Sequence, residues 1–387
     1  MNVTLDFDGV AEFLTLGFTL NGKTMLKNLE IPMWPIPSFE ILPKPSTIDE
    51  VYEALKDSVQ RSIKPNMALS LSGGLDSRII AGLVAEFDKN IPAFTFGYSN
   101  TEKKIARKVC SVLKLHHHVI NDLRLLDEQS IEHSKEIVKE TGGVLNLFII
   151  QNKSVASKRL SEIGLKRTLG GGLFDEVNGG LMARKVNSNE GFCKILIQAA
   201  HPILPRKYRE IVFQNLAECC RKIPFRKLFV LVLVKNLFRD FKVKGWVKTD
   251  VPVIDSQVLS ALVSLPYHKR IMKRVQREIL RKYFPKLYRI PYAMSLLPPL
   301  FPNTFHVSVQ KAIRTLHRYA HSEKPCPLLT FDHTYCMRKN LHLLRNILLK
   351  HPPPLLKPED IKNLINNLNS ANAQLLSRLS TYALIKE

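Results

Sequence analysis

The chain has 387 residues and a formal net charge of +23, since 57 Lys and Arg face 34 Asp and Glu. Hydrophobic residues make up 45% of it, which suits a globular protein with a core of its own. The six cysteines include no Cys-x-x-Cys pair and no zinc-site spacing, which favours a reduced cytoplasmic protein over a disulfide-stabilised secreted one.

Neither the N-terminal segment nor the longest apolar run indicates a secreted or membrane-spanning protein. The segment starting at Met1 lacks a basic stretch followed by an apolar run, so no secretory signal is expected. The longest apolar run, Leu228–Val234, is far shorter than the roughly 20 residues that span a bilayer. We therefore expect a cytoplasmic location.

Much of the positive charge lies between Arg206 and Lys248, where Lys and Arg alternate with aromatic and aliphatic residues. The simpler interpretation is a solvated basic face beside a core-facing apolar stripe. The alternatives are attraction to nucleic acid, to an anionic membrane surface or to a polyanionic substrate.

The first 45 residues end in a proline-rich stretch, Pro32 to Pro45, which predicts an extended linker. Thr47 and Glu50 then form a capping-box pattern, which predicts the start of a helix. That helix would bury one face made of Ile48, Val51, Leu55 and Val59.

The next segment joins a short predicted strand, Met67–Leu71, to a helix through Ser72-Gly73-Gly74-Leu75-Asp76-Ser77. Such a turn presents backbone N–H groups and the positive end of the helix dipole to an anion, and glycine lets a phosphate approach closely. Ser72 and Ser77 can donate hydrogen bonds, and Asp76 could approach phosphate by sharing a Mg²⁺ with it. The alternative is an ordinary Ser/Gly turn that caps a helix.

A second strand, Ala93–Gly97, a helix and a third apolar segment after His116-His117-His118 follow. This alternation predicts an α/β fold with a doubly wound parallel sheet, whose ligands bind at the carboxyl ends of the strands. The three histidines alternate faces in a strand and cannot all reach one ion from one side, so we expect packing or hydrogen bonding from them.

A second glycine turn follows the predicted strand Lys166–Leu169, with the sequence Gly170-Gly171-Gly172-Leu173-Phe174-Asp175-Glu176 and, further on, Gly179-Gly180. At a neighbouring strand end it would face the first turn across a nucleotide, and Asp175 would supply a second carboxylate to the Mg²⁺ of Asp76. The alternative is a glycine-rich turn with a capping aspartate.

The first motif lacks the lysine of the P-loop. It resembles the pyrophosphate-binding loop of the ATP pyrophosphatases, and Leu-Ser-Gly-Gly-Leu-Asp-Ser most closely resembles that of the synthetase domain of asparagine synthetases. The second motif resembles the family's Ser-Gly-x-Gly-x-Asp-Glu. The resemblance implies an ATP-pyrophosphatase-type fold with additional C-terminal helices, the cofactors ATP and Mg²⁺, and metal ligands Asp76 and Asp175.

The same resemblance implies which residues form the rest of the site. Asp76, Asp175 and Arg289 are expected to act in catalysis. The expected nucleotide-binding residues are Ser70, Leu71, Ser72, Gly73, Gly74, Asp76, Ser77, Phe96, Gly97, Gly170 and Gly171.

The resemblance also divides the chain. Residues 1–45 are similar to the tail of a glutaminase domain followed by a linker, residues 46–300 to the synthetase domain, and residues 301–387 form an unrecognised helical extension. Residue 2 is Asn2, where the family's glutaminase domain has its cysteine nucleophile, so we do not expect glutamine hydrolysis within this chain. Nitrogen would come as ammonia, from a separate glutaminase subunit, or from an amine.

Two positions depart from the family. Gly172 stands where asparagine synthetases have a glutamate that manages the proton of ammonia, and glycine has no group for acid–base work. Pro291 falls in the position of a lysine that stabilises charge on the adenylate, for which Arg289 or Lys286 would substitute. The acceptor half of the site therefore differs from that of an aspartate-specific enzyme.

The predicted function is an ATP-dependent amide-forming ligase of the asparagine synthetase type. It would activate a small-molecule carboxylate, either aspartate or a related acid such as a sugar acid, as an acyl-adenylate. One alternative is an ATP pyrophosphatase acting on RNA, which the charge favours and the absence of paired catalytic cysteines opposes. The other is a nucleotide-binding homologue without ligase activity.

Overall fold

The computed structural model describes most of the chain. The residues described are 4–33, 35–97, 99–120, 128–178, 186, 188–198, 204–237, 243–293, 295–301, 303–320, 333–354, 356–369 and 372–387. The five strands are β1 (Met67–Ser70), β2 (Ala93–Phe96), β3 (His117–Ile120), β4 (Arg167–Gly170) and β5 (Lys248–Asp250).

Helices precede, connect and follow these strands. The α-helices are α1 (Phe7–Leu16), α2 (Ile48–Ser62), α3 (Leu75–Phe87), α4 (Asn100–Leu113), α5 (Glu128–Glu140), α6 (Leu147–Glu162), α7 (Phe174–Val177), α8 (Asn189–Gln198), α9 (Arg206–Cys220), α10 (Lys235–Leu237), α11 (Ser256–Ser264), α12 (Tyr267–Arg270), α13 (Arg274–Tyr283), α14 (Pro285–Tyr288), α15 (Asn303–Ala320), α16 (His333–Lys350), α17 (Pro358–Asn366) and α18 (Asn372–Lys386). Short 3₁₀ turns at Phe225–Lys227, Pro252–Ile254 and Ile271–Lys273 and a π-helix at Phe229–Val234 complete the described elements.

The strands form one parallel sheet in the order β3-β2-β1-β4-β5. The chain runs outward from β1 to β3 and then returns to the other side of β1 as β4, so the strand order reverses between β1 and β4. This confirms the predicted doubly wound α/β fold. Ser70 pairs with Gly170 at the ends of the two strands, which brings the two glycine turns to the switch point where such folds bind ligands.

Alternation along the strands directs side chains to two different layers. Met67 and Leu69 belong to the largest core cluster, together with residues of α2, α3, α11 and α13. Ala68 and Phe94 face the other way and contact Leu160 of α6. The sheet therefore has helices on both faces, as a parallel sheet requires.

The start of α2 follows the sequence pattern closely. The Thr47 side chain accepts a hydrogen bond from the Glu50 backbone N–H, and the Glu50 carboxylate accepts one from the Thr47 N–H at 2.6 Å. The predicted apolar face, Ile48, Val51, Leu55 and Val59, is buried. Both the capping box and the buried stripe are thus confirmed.

A second core cluster joins the two ends of the described chain. It contains Val10 and Phe13 of α1, residues of α5, α6 and α9, and the C-terminal helices α16 to α18. Arg378 of α18 donates hydrogen bonds to the carbonyls of Leu14 and Thr15 at 2.9 and 3.0 Å. The domain boundaries placed at residues 45 and 300 stay predictions, and this cluster packs residues from outside those boundaries against residues from within them.

The basic, aromatic-rich stretch after α9 contributes to the interior. Phe229, Val230, Val232 and Val234 are buried, and Phe229 packs edge-on against Phe192 of α8 at 5.3 Å between ring centroids. This favours the core-facing interpretation of the apolar residues over a membrane-surface helix. No helix in the described part of the chain has both the length and the apolarity needed to cross a bilayer.

Candidate nucleotide and metal site

The turn between β1 and α3 is held by a small network of hydroxyls. Ser72 and Ser77 are hydrogen-bonded through their Oγ atoms at 2.8 Å, and the Ser72 N–H donates to Ser77 Oγ at 3.1 Å. The Gly74 N–H donates to Ser72 Oγ, while the Gly73 N–H donates to the Glu102 carboxylate at 3.0 Å. The turn is therefore preformed, and the serine hydroxyls would have to reorient to donate to a phosphate.

The two glycine turns touch backbone to backbone. A Cβ placed on Gly171 would lie 2.6 Å from the Ser77 nitrogen and 2.7 Å from the Asp76 carbonyl carbon, closer than real Cβ contacts. Glycine at position 171 is therefore required by the close approach of the second turn to the start of α3.

We expect Gly171→Ala to weaken ATP binding at least tenfold, because the added methyl must push the two turns apart. Overpacking of this kind also lowers the free energy of unfolding, by about 1–3 kcal/mol. The matched control is Gly172→Ala, since a Cβ at Gly172 meets nothing within 4 Å. Calorimetric titration of both variants with ATP checks the difference, and equal affinities for the two would contradict the contact.

The two predicted metal ligands lie on either side of one ammonium group. Lys273 Nζ is 3.2 Å from Asp76 Oδ2 and 3.3 Å from Asp175 Oδ2, so the two carboxylate oxygens lie within about 6.5 Å of each other. The remaining oxygen of Asp76, Oδ1, accepts a hydrogen bond from Gln276 Nε2 at 3.0 Å. The structure thus brings Asp76 and Asp175 together and adds Lys273 and Gln276 to them.

Burial and charge act in opposite directions on these groups. Burial raises the pKa of Asp175, and the adjacent Lys273 ammonium counteracts part of that rise. Burial would lower the pKa of Lys273, but Asp76 and Asp175 outweigh it and the pKa is raised. The neighbouring Glu176 has its pKa raised by burial. Lys273 therefore stays charged and neutralises two carboxylates that would otherwise repel each other.

Lys273 reaches this position through an unusual backbone. Met272 and Lys273 both have left-handed conformations, with φ of 60° and 57°. Two consecutive non-glycine residues in this region cost about 1–3 kcal/mol each and persist only where the surrounding contacts hold them. Here Lys273 is held by its two ion pairs.

A cavity of about 630 Å³ opens beside the two turns. Its floor is the sheet face that carries Ser70, Phe94 and Thr168, and its roof is the face of α6 that carries Asn152 and Lys153. Lys153 Nζ lies 4.7 Å from the ring centroid of Trp246, whose indole N–H donates to Ser154 of α6 at 2.9 Å. This volume is in the usual range for sites that enclose a small molecule.

Arg78 fastens the first turn to the segment after α14. Its side chain is fully buried and donates to the carbonyls of Leu287, Ile290 and Pro291 at 2.7–3.0 Å. Burial lowers the pKa of Arg78 to about 10. In the same contact the Ala293 N–H donates to the Gly73 carbonyl at 3.0 Å. Residues 287–293 therefore act as a support for the glycine turn.

The same support continues to α15 through a buried histidine. His306 Nδ1 lies 2.5 Å from Ser295 Oγ, and its ring lies 4.9 Å from that of Tyr292. Burial, with a smaller contribution from the charge of Arg277, lowers the pKa of His306 to about 4. The native structure therefore favours the neutral imidazole.

This histidine gives a pH dependence of stability. The pKa of His306 is lower in the folded chain than the 6.5 expected when unfolded, so its contribution is full above pH 6.5 and is lost as pH falls towards about 4. The slope is at most about 1.4 kcal/mol per pH unit. Urea unfolding of the native chain and of His306→Gln at pH 7.5 and 5 checks this. We expect the native chain to lose more stability than the variant, and equal losses would contradict it.

The predicted site residues divide into two groups. Those that line the cavity are Ser70, Ser72, Asp76, Ser77, Phe96, Gly97, Gly170 and Gly171. Leu71 lies in the core, where its carbonyl accepts a hydrogen bond from Thr95. Gly73, Gly74 and Asp175 do not line the cavity, and Asp175 is connected to the cavity-lining Asp76 through Lys273. Gly179 and Gly180 of the second motif are outside the described residues.

The structure does not bring Arg289 to the cavity. Its side chain is exposed and it is not among the lining residues, whereas Lys273 supplies the cation beside the aspartates. Lys273, Gln276 and Arg78 were not singled out from the sequence. Arg78 stands directly after the first motif and before the apolar run that begins at Ile79, and this position was the one available signal.

The donor set fits a divalent cation bound together with a nucleotide. The carboxylates of Asp76 and Asp175 converge from separate turns. In proteins Mg²⁺ binds such carboxylate oxygens together with phosphate oxygens. Gly170, Gly171 and Gly172 line the cavity beside these carboxylates. ATP with Mg²⁺ thus suits the residues present.

Three histidines follow α4. Nε2 of His117 lies 2.9 Å from Oγ1 of Thr95, and the stacked rings of His116 and His118 have centroids 6.2 Å apart. The expected packing and hydrogen bonding are therefore found, and they fix the carboxyl end of β2 beside the cavity.

A comparison with protein families gives one match. Residues 50–221 match the family model described as asparagine synthase, and no glutaminase domain is matched in the chain. The matched range contains both glycine turns and both aspartates, and it ends before Lys273. A search of curated proteins finds no match. Residues 50–221 of this chain are therefore similar to the asparagine synthase family, which is a family of ATP-dependent synthetases.

Proposed function

We propose that this protein is an ATP-dependent ligase that activates a carboxylate as an acyl-adenylate and then forms an amide. The observation that carries the proposal is the meeting of Asp76 and Asp175 at one cation beside a cavity of about 630 Å³. A glycine-rich turn that only caps a helix would explain neither the cation shared by Asp76 and Asp175 nor the close contact of Gly171 with the start of α3.

The first step would join the substrate to AMP. An oxygen of the carboxylate attacks the α-phosphorus of ATP, the bond between the α-phosphorus and the bridging oxygen breaks, and pyrophosphate leaves. Mg²⁺ held by Asp76 and Asp175 would supply charge neutralisation for the leaving pyrophosphate. The hydroxyls of Ser72 and Ser77 would donate to the same phosphates, since both line the cavity.

Lys273 would have two positions in this cycle. Without nucleotide its ammonium neutralises the two aspartates. With a metal ion bound to them it would be released to the phosphate oxygens, where its positive charge again has negative partners. The left-handed backbone at Met272 and Lys273 makes this segment suited to such a change, because the metal ion would replace the two ion pairs that hold Lys273 in place.

The second step would release AMP. The nitrogen of ammonia or of an amine attacks the acyl carbon, the bond from carbon to the AMP oxygen breaks, and the nitrogen loses a proton. Gly172 offers no side chain for that proton, and a Cβ there meets nothing within 4 Å. The open space favours an acceptor acid larger than aspartate, in which an atom of the substrate fills the place of the missing side chain.

The test separates activation from amide formation. The purified chain, ATP and Mg²⁺ are incubated with single acids (aspartate, glutamate and hexuronic acids), and exchange of labelled pyrophosphate into ATP is measured without any amine. We expect exchange with one class of acid, followed by release of AMP and an amide when ammonium or an amine is added. Formation of ADP, or AMP release that requires RNA and no acid, would overturn the proposal. Tight ATP binding without exchange for any acid would favour a homologue that has lost catalysis.

A further inference from the structure

The surface around the start of α15 exposes large apolar side chains. Leu300 is 54% exposed, Phe305 48% and Leu316 67%. Phe301 lies against Phe305 with ring centroids 5.5 Å apart, and Leu296 is also exposed. We call Leu296, Leu300, Phe301 and Phe305, together with Leu316 about three turns further along α15, the C-terminal apolar patch. Large apolar patches on a surface mark sites of interaction.

The part of α15 that follows this cluster is amphipathic. Phe305, Ala312 and Leu316 recur at helical spacing, so they share one face of α15. Lys311 and Arg314 lie on the opposite face and are exposed. An apolar face of aromatic and aliphatic residues opposite a basic face is typical of helices that lie in the surface of a membrane.

The charge of the surrounding segment has a single sign. Residues 279–322 contain no Asp or Glu and seven basic residues, namely Arg281, Lys282, Lys286, Arg289, Lys311, Arg314 and Arg318. In the part of the chain that the structure describes, no carboxylate pairs with Lys286, Arg289, Lys311 or Arg314. The patch therefore lies in a segment rich in basic residues, and of these Lys282 is paired with Asp49, whereas Lys286, Arg289, Lys311 and Arg314 have no ion pair among the described residues.

The helix carrying the patch is attached to the body of the protein. His306, next to Phe305, is buried between Ser295 and Tyr292, and the backbone N–H of Tyr292 donates to the Leu297 carbonyl at 3.1 Å. Phe305 is thus presented by a first helical turn that is attached to the protein through His306.

We propose that the C-terminal apolar patch binds the surface of a bilayer containing anionic phospholipids. The exposed Leu and Phe side chains would enter the boundary between headgroups and acyl chains, and the basic residues would attract the anionic headgroups. Nucleic acid would satisfy the basic residues and leave Leu296, Leu300 and Leu316 without a role. A second copy of the chain would bring two surfaces of the same positive charge together.

The test is co-sedimentation of the full chain with vesicles. We expect it to bind vesicles containing 30% phosphatidylglycerol and to bind pure phosphatidylcholine vesicles at least tenfold more weakly, with binding reduced at 0.5 M salt. Phe305→Ser/Leu316→Ser should weaken binding to the anionic vesicles about tenfold. Leu42→Ser/Ile163→Ser, which changes two exposed apolar residues elsewhere, should leave it unchanged. Circular dichroism and calorimetric titration with ATP confirm that each variant is folded.

Three results would overturn the proposal. One is no binding of the native chain to the anionic vesicles. Another is equal loss of binding in the patch variant and in the control variant. The third is a fall in molar mass by light scattering in the patch variant alone, which would show that the patch holds two copies together. Binding of a labelled oligonucleotide that Lys311→Glu/Arg314→Glu abolishes, without vesicle binding, would assign the surface to nucleic acid instead.

Discussion

Asp76→Asn and Asp175→Asn are each expected to reduce pyrophosphate exchange by at least about 10³-fold with the acid that supports it. Either change removes one of the two negative charges that would hold the metal ion, and a metal ion contributes several kcal/mol of charge stabilisation, with about 1.4 kcal/mol for each factor of ten in rate. Asparagine keeps the shape of the side chain, so the cavity is preserved. The measurement is the initial rate of exchange at saturating ATP.

The control for this pair is Asp49→Asn. Asp49 pairs with Lys282 at 2.6 Å on an exposed surface, so the variant removes an ion pair of similar type away from the cavity. It should keep a rate within a factor of two of the native chain, since exposed ion pairs contribute little to stability. A native-like rate in either site variant would show that the two aspartates do not act on the phosphates.

Lys273→Met is expected to destabilise the chain by about 1–3 kcal/mol, because it leaves two partly buried carboxylates without a counter-ion. The informative result is the response to metal. Mg²⁺ should raise the stability of the variant by several kcal/mol at millimolar concentration, because the ion takes the place of the missing ammonium. The native chain should respond far less in the absence of nucleotide. Thermal unfolding with and without Mg²⁺ measures both effects.

Lys269→Met is the matched control from the same segment. Lys269 pairs with Glu278 at 3.4 Å and is more exposed, so its loss should change stability by less than about 1 kcal/mol and give no response to Mg²⁺. If Lys273→Met proves as stable as Lys269→Met, or if Mg²⁺ leaves its unfolding temperature unchanged, then the two aspartates do not form a metal site.

The sequence predicted the features that local patterns determine. The capping box at Thr47, the buried face of α2, and the two strands predicted at Met67–Leu71 and Lys166–Leu169 all follow from short-range spacing, and each observed strand ends within one residue of its predicted end. The meeting of Asp76 with Asp175 also follows, since the two motifs end neighbouring parallel strands and such ends lie at one edge of the sheet.

The cation of the site could not be found in this way. Lys273 reaches the site because Met272 and Lys273 itself have left-handed backbone conformations. Neither residue is glycine, and no pattern in the sequence marks that conformation. The resemblance instead directed attention to Arg289, whose side chain the structure leaves exposed. The fully buried Arg78 was missed for a related reason, because three of the four backbone carbonyls to which it donates belong to residues 287–291, far away in the sequence.

The most direct test of a shared metal site is a double-mutant cycle on metal binding. Binding of Mn²⁺ in the presence of ATP is followed by electron paramagnetic resonance in the native chain, in Asp76→Asn, in Asp175→Asn and in the double variant. If both carboxylates hold one ion, each single change should weaken binding of Mn²⁺ more than tenfold, and the double variant should bind little worse than either single one. Independent effects that multiply, or an affinity that only one of the two changes reduces, would contradict a site shared by Asp76 and Asp175.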